Sequence, residues 1–467
     1  MAMRAILLLV ALEPSLQRQV MPAPKYPETT SSETFPGTFW HFSDLHLEFS
    51  YTVGSNSSNL CHTPTSGDAP DNEEDGSVAG AAGAYGCDSP PVLVLSSLEA
   101  MARLQPNVSL ILWTGDSGPH RRASNPGQEY IAQATSLVFS RLSQLFPRVP
   151  VVAALGNHDI SPPNQWPVGG PVYASLWGPG GYSGHIPSGQ RDSFLHCGFY
   201  STTAAGLNFL VLNTNIYRKD KQVEGDDPCG QLRWLEAQLV EAEERESKVY
   251  IVGHIPPSSW STPRDTVEEI RARFLGLLIR FSNVVVAQMY GHKHTDAFRL
   301  LRSEEGESVG FGLTQGSVSP LIGSNPSVRL YSYKNHGGLE DYAQYFLDLE
   351  EVQAVRNISA AELGTRWKLL YRASESYGLK DLSPSSLEAF WEKLRTNEDG
   401  LFNQYLLNSK AGIGGGKCEC YRCTSEEDCW RKTLCNAGFT NSTQLSSCLA
   451  TLKPGSESGL KEIVPLH

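Results

Sequence analysis

Short apolar runs rich in β-branched and aromatic residues recur along this chain, each ending in polar residues. They occupy Phe39–Phe42, Leu110–Thr114, Val149–Leu155, Phe209–Asn213, Val249–Val252, Val284–Tyr290, Gly310–Gln315 and Val328–Tyr333, and each is expected to be a strand. Between several of them the spacing becomes helical, over Tyr130–Leu145 and Gln231–Glu244. In the second of these, Leu232, Leu235, Leu239 and Ala242 keep to one helical face. Strands alternating with helices predict α/β layers with ligand groups at strand ends. From about Arg366 the strand runs give way to helical stretches such as Ser385–Thr396, and then to a cysteine cluster. The expected division is a main α/β domain over 38–365 and a small helical, disulfide-rich C-terminal region over 366–467.

Polar punctuation marks what lies outside these layers. Residues 13–37 are rich in Pro, Ser and Thr and read as a lead-in. Ahead of them, Arg4 and the apolar run Ala5 to Leu12 have the shape of a signal peptide, so residues 1–22 are read as signal and leader. The alternative is a disordered extension, since Glu13 follows at once. Residues 53–86 are Gly/Ala/Ser-rich with an acidic run from Asp68 to Asp75, a solvated loop that a Cys61–Cys87 disulfide would staple. No run of 18 apolar residues occurs and the tail after Thr451 is polar, so no stable membrane anchor is expected.

Composition narrows the compartment and the partners. The chain has 467 residues, long enough for a large core. Its net charge of −12 argues against a nucleic-acid polymer as partner, while a small nucleotide stays open because bound metal can reverse the local field. The cysteines number ten, and six crowd between Cys418 and Cys448. Asn56, Asn107, Asn357 and Asn441 each begin an Asn-x-Ser/Thr sequon. Together these fit a glycosylated, exported protein, secreted or lysosomal, and a monomer is expected.

Five short motifs sit at the ends of the predicted strands: Asp44-Leu45-His46, Gly115-Asp116, Gly156-Asn157-His158-Asp159, Gly253-His254 and Gly291-His292-Lys293-His294. Each alone has a bland explanation, as a chance D-x-H, a structural histidine or a turn. The ordered set is what needs a reason. A two-metal site requires oxygen and imidazole ligands on cations about 3.5–4 Å apart, with one ligand able to bridge both. A carboxylate bridges because it has two oxygens, imidazole suits zinc and its relatives, and Asn adds a neutral oxygen. On an extended segment the alternate residues of D-x-H and H-x-H would point the same way. Gly before Asp116, Asn157, His254 and His292 would let the chain turn and approach closely.

With these blocks in this order, the chain resembles the calcineurin-like metallophosphoesterase superfamily and, within it, the acid sphingomyelinase-like phosphodiesterases. The stretches that carry the resemblance are Phe39–Leu47, Leu112–His120, Ala154–Asp159, Val211–Tyr217, Tyr250–Pro257 and Gly291–Phe298. The likeness spans about residues 38–450, and the last cysteine pair, Cys435 and Cys448, also fits the family pattern. It implies a four-layer α/β/β/α sandwich. It also implies two Zn2+ per chain: Asp44, His46 and His294 on the first metal, Asn157, His254 and His292 on the second, and Asp116 bridging. A hydroxide shared by the metals would attack phosphorus. His158 is expected as the acid for the leaving oxygen and His120 as a phosphate contact, with Asp159 orienting His158 or a ligand imidazole. An acidic pH preference comes with the resemblance.

The implied substrate is a soluble phosphodiester or nucleotide-type ester. Sphingomyelin is the alternative, weakened because the room before Phe39 is too short for the saposin-type domain of true acid sphingomyelinase. A phosphomonoesterase and an inactive binding protein are the further alternatives. Purple acid phosphatases share the block order but need a ferric-binding Tyr where this chain has Pro119. Gly412–Lys417 is not a phosphate loop, because Ala411 and Cys418 replace its required Gly and Ser/Thr. Cys418, Cys420, Cys423 and Cys429 imitate a zinc site, but disulfides are expected in an exported chain, with Cys423–Cys429 as one guess.

Overall fold

A computed structural model describes residues 36–62, 78–120, 127–218, 225–260, 265–413 and 426–452. The leader, the acidic run Asp68–Asp75, and Cys418, Cys420 and Cys423 lie outside the described residues. The described strands form two six-stranded sheets. In the first, β1 (Gly37–Phe42), β2 (Leu110–Trp113) and β3 (Val151–Ala153) run parallel. The second is built on β4 (Tyr200–Ala204), β5 (Leu207–Val211), β6 (Val249–Val252), β7 (Val285–Tyr290), β8 (Ala297–Arg302) and β9 (Ser308–Thr314). The chain then returns to the first sheet with β10 (Ser327–Tyr333), β11 (Leu339–Phe346) and β12 (Lys368–Arg372). The orders are β12-β11-β10-β1-β2-β3 and β4-β5-β6-β7-β9-β8.

The sheets face each other through apolar and aromatic side chains, such as Phe39 edge-on to Tyr250 at 6.3 Å. Helices Pro91–Leu104 and Gln128–Leu145 pack together beside the first sheet, and Gln231–Glu244 and Asp265–Arg280 beside the second. The result is the expected α/β/β/α sandwich. The parallel strands β1, β2, β3, β6 and β7 read in sequence as near-continuous apolar runs because both faces are covered. Their C-terminal ends open on one edge, and all five motifs follow them.

Four strands escaped the sequence pattern. β4 is mostly hydroxyl residues, and β8 and β12 carry charges at or near their ends. β12 is an edge strand with Leu369 exposed, so its alternation is blurred. It lies beyond Arg366, so the C-terminal segment contributes a strand to the first sheet as well as its helices. Those include Pro384–Thr396, Leu401–Ser409, Glu426–Gly438 and Ser442–Thr451. Disulfides join Cys61–Cys87 and Cys435–Cys448 as expected, and Cys197–Cys229, which spacing did not suggest. Cys429 is also disulfide-bonded, but the guessed Cys423 partner lies outside the described residues.

Candidate metal centre

The seven expected ligand side chains come together at the strand ends. The Asp116 carboxylate is central: its Oδ2 lies 3.4 Å from His46 Nε2 and 3.1 Å from His254 Nε2. On one side, His46 Nε2 is 3.0 Å from His294 Nε2, and Asp44 Oδ1 is 3.8 and 3.4 Å from those two nitrogens. On the other, Asn157 Oδ1 is 2.9 Å from His254 Nε2 and 2.8 Å from His292 Nδ1. Ligand atoms of Asp44, His46 and Asp116 fall within 4.8 Å of one another, as do those of Asp116, His254 and His292. Six of the seven are buried; His292 is half-buried.

The outer ring nitrogens of two of the histidines are held by carbonyl groups. His46 Nδ1 lies 2.8 Å from the Gly118 carbonyl and His254 Nδ1 lies 2.7 Å from the Thr114 carbonyl. A carbonyl only accepts, so both rings carry a proton on Nδ1 and turn Nε2 inward, toward carboxylate and amide oxygens. Burial pushes the Asp44 carboxyl up to about 7, against the pull of His254. His254 is pushed to about 9 by Asp116 although burial opposes it. Such a set suits divalent cations, and the donor atoms fit a mixed N/O pair of sites.

The local backbone differs from the expected one. Asp44, His46, Asp116, His292 and His294 have φ of 53°, 43°, 62°, 71° and 56°. The D-x-H and H-x-H pairs therefore sit in left-handed turns, not on extended segments, and alternation does not explain their aim. Gly115 is left-handed as well (φ 95°), and a methyl there would meet the Gly156 nitrogen at 2.5 Å. Gly156 serves close approach instead, since a methyl on it would collide with Asp116.

Around the expected ligands, the His120 and His158 rings lie 4.0 Å apart between centroids and tilted by 50°, both half-buried, with His120 also 3.9 Å from the His46 ring. Burial pulls His120 down, but Asp88 more than offsets it: its carboxylate accepts from the His120 backbone N–H at 2.6 Å and lies 2.9 Å from Nδ1. Burial and then His120 hold His158 down at about 3. The His158 backbone N–H donates to Asp116 Oδ1 at 2.7 Å.

Among the described residues Asp159 makes no hydrogen bond to an imidazole. Its carboxylate accepts from the backbone N–H groups of Gly156, Asp116 and Ser117 and from the Ser117 hydroxyl, so it clamps the loop carrying Asp116. Asp88 escaped the sequence reading altogether. Its neighbour Cys87, paired with Cys61, was the available signal. Thr214 likewise supports the site, its hydroxyl accepting from the His254 and Ile255 N–H groups.

Comparison with known proteins gives the same placement. The calcineurin-like phosphoesterase family matches over residues 37–296, and the acid sphingomyelin phosphodiesterase C-terminal region over 314–451. The human protein named acid sphingomyelinase-like phosphodiesterase 3b is 31% identical, covering 89% of this chain and 94% of its own. Human cyclic GMP-AMP phosphodiesterase SMPDL3A is 30% identical over 79% of this chain and 82% of its own. Human sphingomyelin phosphodiesterase is 30% identical over 75% of this chain but only 56% of its own length.

Proposed function

Since the chain belongs to the calcineurin-like metallophosphoesterases, in the branch with an acid sphingomyelinase-type C-terminal region, and is thereby a metal-dependent phosphodiester hydrolase, we propose that it is a dizinc enzyme acting on small, soluble, anionic phosphodiesters. The carrying observation is the Asp116 carboxylate set between His46 and His254. We assign Asp44, His46 and His294 to one metal, Asn157, His254 and His292 to the other, and Asp116 to both. When bound, such a pair supplies charge neutralisation for the phosphoryl oxygens and a nucleophile at neutral pH.

The protein's own groups do the rest. His120, whose pKa Asp88 raises against the pull of burial, serves as the acid for the leaving oxygen. His158 has its Nδ1 3.2 Å from the Pro119 carbonyl, so the neutral ring leaves Nε2 as an acceptor. The charge pattern thus favours exchanging the two roles expected from sequence, with both groups kept in the site.

Substrate charge is the finer question. Desolvation and then repulsion from Arg299 and Arg218 bring the Lys293 ammonium down to about 8. Lys293 and Arg218, the two cations whose charge reaches His292, favour a substrate with a second anionic group, such as a nucleotide or cyclic dinucleotide, and disfavour a choline head. The relatives' names include a cyclic GMP-AMP phosphodiesterase and a sphingomyelin phosphodiesterase, so both classes belong in one assay. With zinc supplied, the pure protein should cleave bis-nitrophenyl phosphate and nucleotide esters faster than mono-nitrophenyl phosphate or sphingomyelin vesicles. Faster monoester or phosphocholine release would overturn the substrate assignment.

The compartment reading rests on chemistry outside the site. Asn107, Asn357 and Asn441 are exposed and Asn56 is half-exposed, as glycosylation requires, and the disulfides need an oxidising environment. No helix among the described residues is long and apolar enough to cross a membrane. The reading is a monomeric, secreted or lysosomal glycoprotein whose residues 38–365 carry the chemistry and whose 366–467 region supports it. Endoglycosidase treatment should lower the mass of the secreted protein.

A further inference from the structure

A buried ion pair lies between the two sheets, apart from the ligand set. Arg329, on β10, is fully buried, and Asp296, in the turn between His294 and β8, is nearly so. Arg329 Nη2 is 2.5 Å from Asp296 Oδ1. The guanidinium has further contacts: Nε donates to Gln344 Oε1 at 2.6 Å, Nη1 to the Tyr331 hydroxyl at 3.1 Å, and its centre lies 3.9 Å over the Tyr342 ring. The other Asp296 oxygen accepts from the Tyr371 hydroxyl, and the Asp296 N–H donates to the Ser409 carbonyl at 3.0 Å. Tyr371 is on β12 and Ser409 ends the helix Leu401–Ser409, so both partners come from the C-terminal segment.

Burying a charge pair often stabilises a fold no better than well-packed apolar groups, and in some proteins such a pair fixes geometry instead. The geometry it reaches is that of His294. His46 and His254 are each oriented by a carbonyl on the ring nitrogen facing away from the site. His294 Nδ1 is buried with no such partner. Its imidazole must be aimed by its backbone, which is left-handed at φ 56° and is tied down two residues later at Asp296.

We propose that Asp296, Arg329 and Tyr371 form a positioning clamp for His294, through which the C-terminal segment sets the affinity of the first metal position. This rests on the metal assignment above. The test uses the full-length protein as Tyr371→Phe and Asp296→Asn variants, with Arg329→Met alongside and Leu239→Ala as a core-destabilised control remote from the clamp. Zinc retained per chain is measured against graded chelator, together with the zinc dependence of diester cleavage and the Tm of the metal-free form.

Tyr371→Phe should weaken zinc at one of the two positions by about 10–100-fold, the range for groups that orient a ligand. Saturating zinc should restore its kcat, with KM unmoved. Leu239→Ala should lower the apo Tm and leave zinc affinity alone. Zinc affinity in Tyr371→Phe equal to wild type, or shifted no more than in Leu239→Ala, overturns the clamp. If Arg329→Met fails to fold, Tyr371→Phe decides, since it removes one hydroxyl. Wild-type protein that retains no zinc would sink the metal assignment and the clamp together; zinc-loaded wild type with an unmoved Tyr371→Phe sinks the clamp alone.

Discussion

Asp116 touches both halves of the site, and its removal separates enzyme from scaffold. Asp116→Ala should drop zinc content and diester turnover to background together, checked by elemental analysis and assay on one preparation. Retained turnover would refute its role. Asp88 acts through His120. The pair raises the His120 pKa in the folded state, so the acid form is present below that value and lost as pH rises through it. Asp88→Asn lowers that value. The alkaline limb of the kcat profile should therefore move to lower pH, with kcat falling about 10–100-fold. An unmoved limb would mean that His120 is not the titrating acid. The left-handed ligands also explain a cost carried at this site: each such residue forgoes about 1–2 kcal/mol relative to ordinary backbone. Asp and His tolerate that region better than β-branched residues do.

At the scale of elements, the loops after β2 and β3 behave as one unit. Asp159 at the end of the β3 loop holds the β2 loop by three hydrogen bonds, from Asp116 and Ser117, and its own loop by one from Gly156. Asp159→Ala strands buried N–H groups, each costing about 1–3 kcal/mol. The Tm should fall by several degrees and zinc binding should weaken with it, as calorimetry and metal titration would show. Gly156→Ala attacks the same joint from the backbone. A methyl there collides with Asp116, and overpacking of this kind costs about 1–3 kcal/mol. That variant should lose metal more than it loses secondary structure; full zinc occupancy in it would show that the loops yield more easily than their packing implies.

Across the whole molecule, the proposed metal pair would couple the two sheets. Asp44, His46, Asp116 and Asn157 hang from the first sheet, and His254, His292 and His294 from the second, so a pair of cations held by them would bridge the sheets. Anything that binds only the folded state stabilises it, by about 4 kcal/mol at a thousand times Kd. Chelation should lower the Tm by several degrees and zinc should restore it. A Tm indifferent to chelator would argue that the sheets are held apart from the ligands. The C-terminal segment is bound into the same unit, since β12 extends the first sheet and Ser409 holds Asp296.

Most of the site was legible in one dimension because its chemistry demands particular residue types. The proposed ligand set draws on Asp, His and Asn, and buried parallel strands announce themselves as apolar runs immediately before them. The fold class followed from the same alternation. Asp88, Thr214 and the Cys197–Cys229 bridge were not legible, since each acts on a group distant in sequence and has no spacing of its own. Asp159 was noticed but given the wrong target, because a carboxylate looks the same whether it meets an imidazole or a row of amides. Residue type dictated which chemistry was possible; the crossing of two sheets, which brings residue 44 against 292 and 296 against 329, decided which groups meet and which protons they hold.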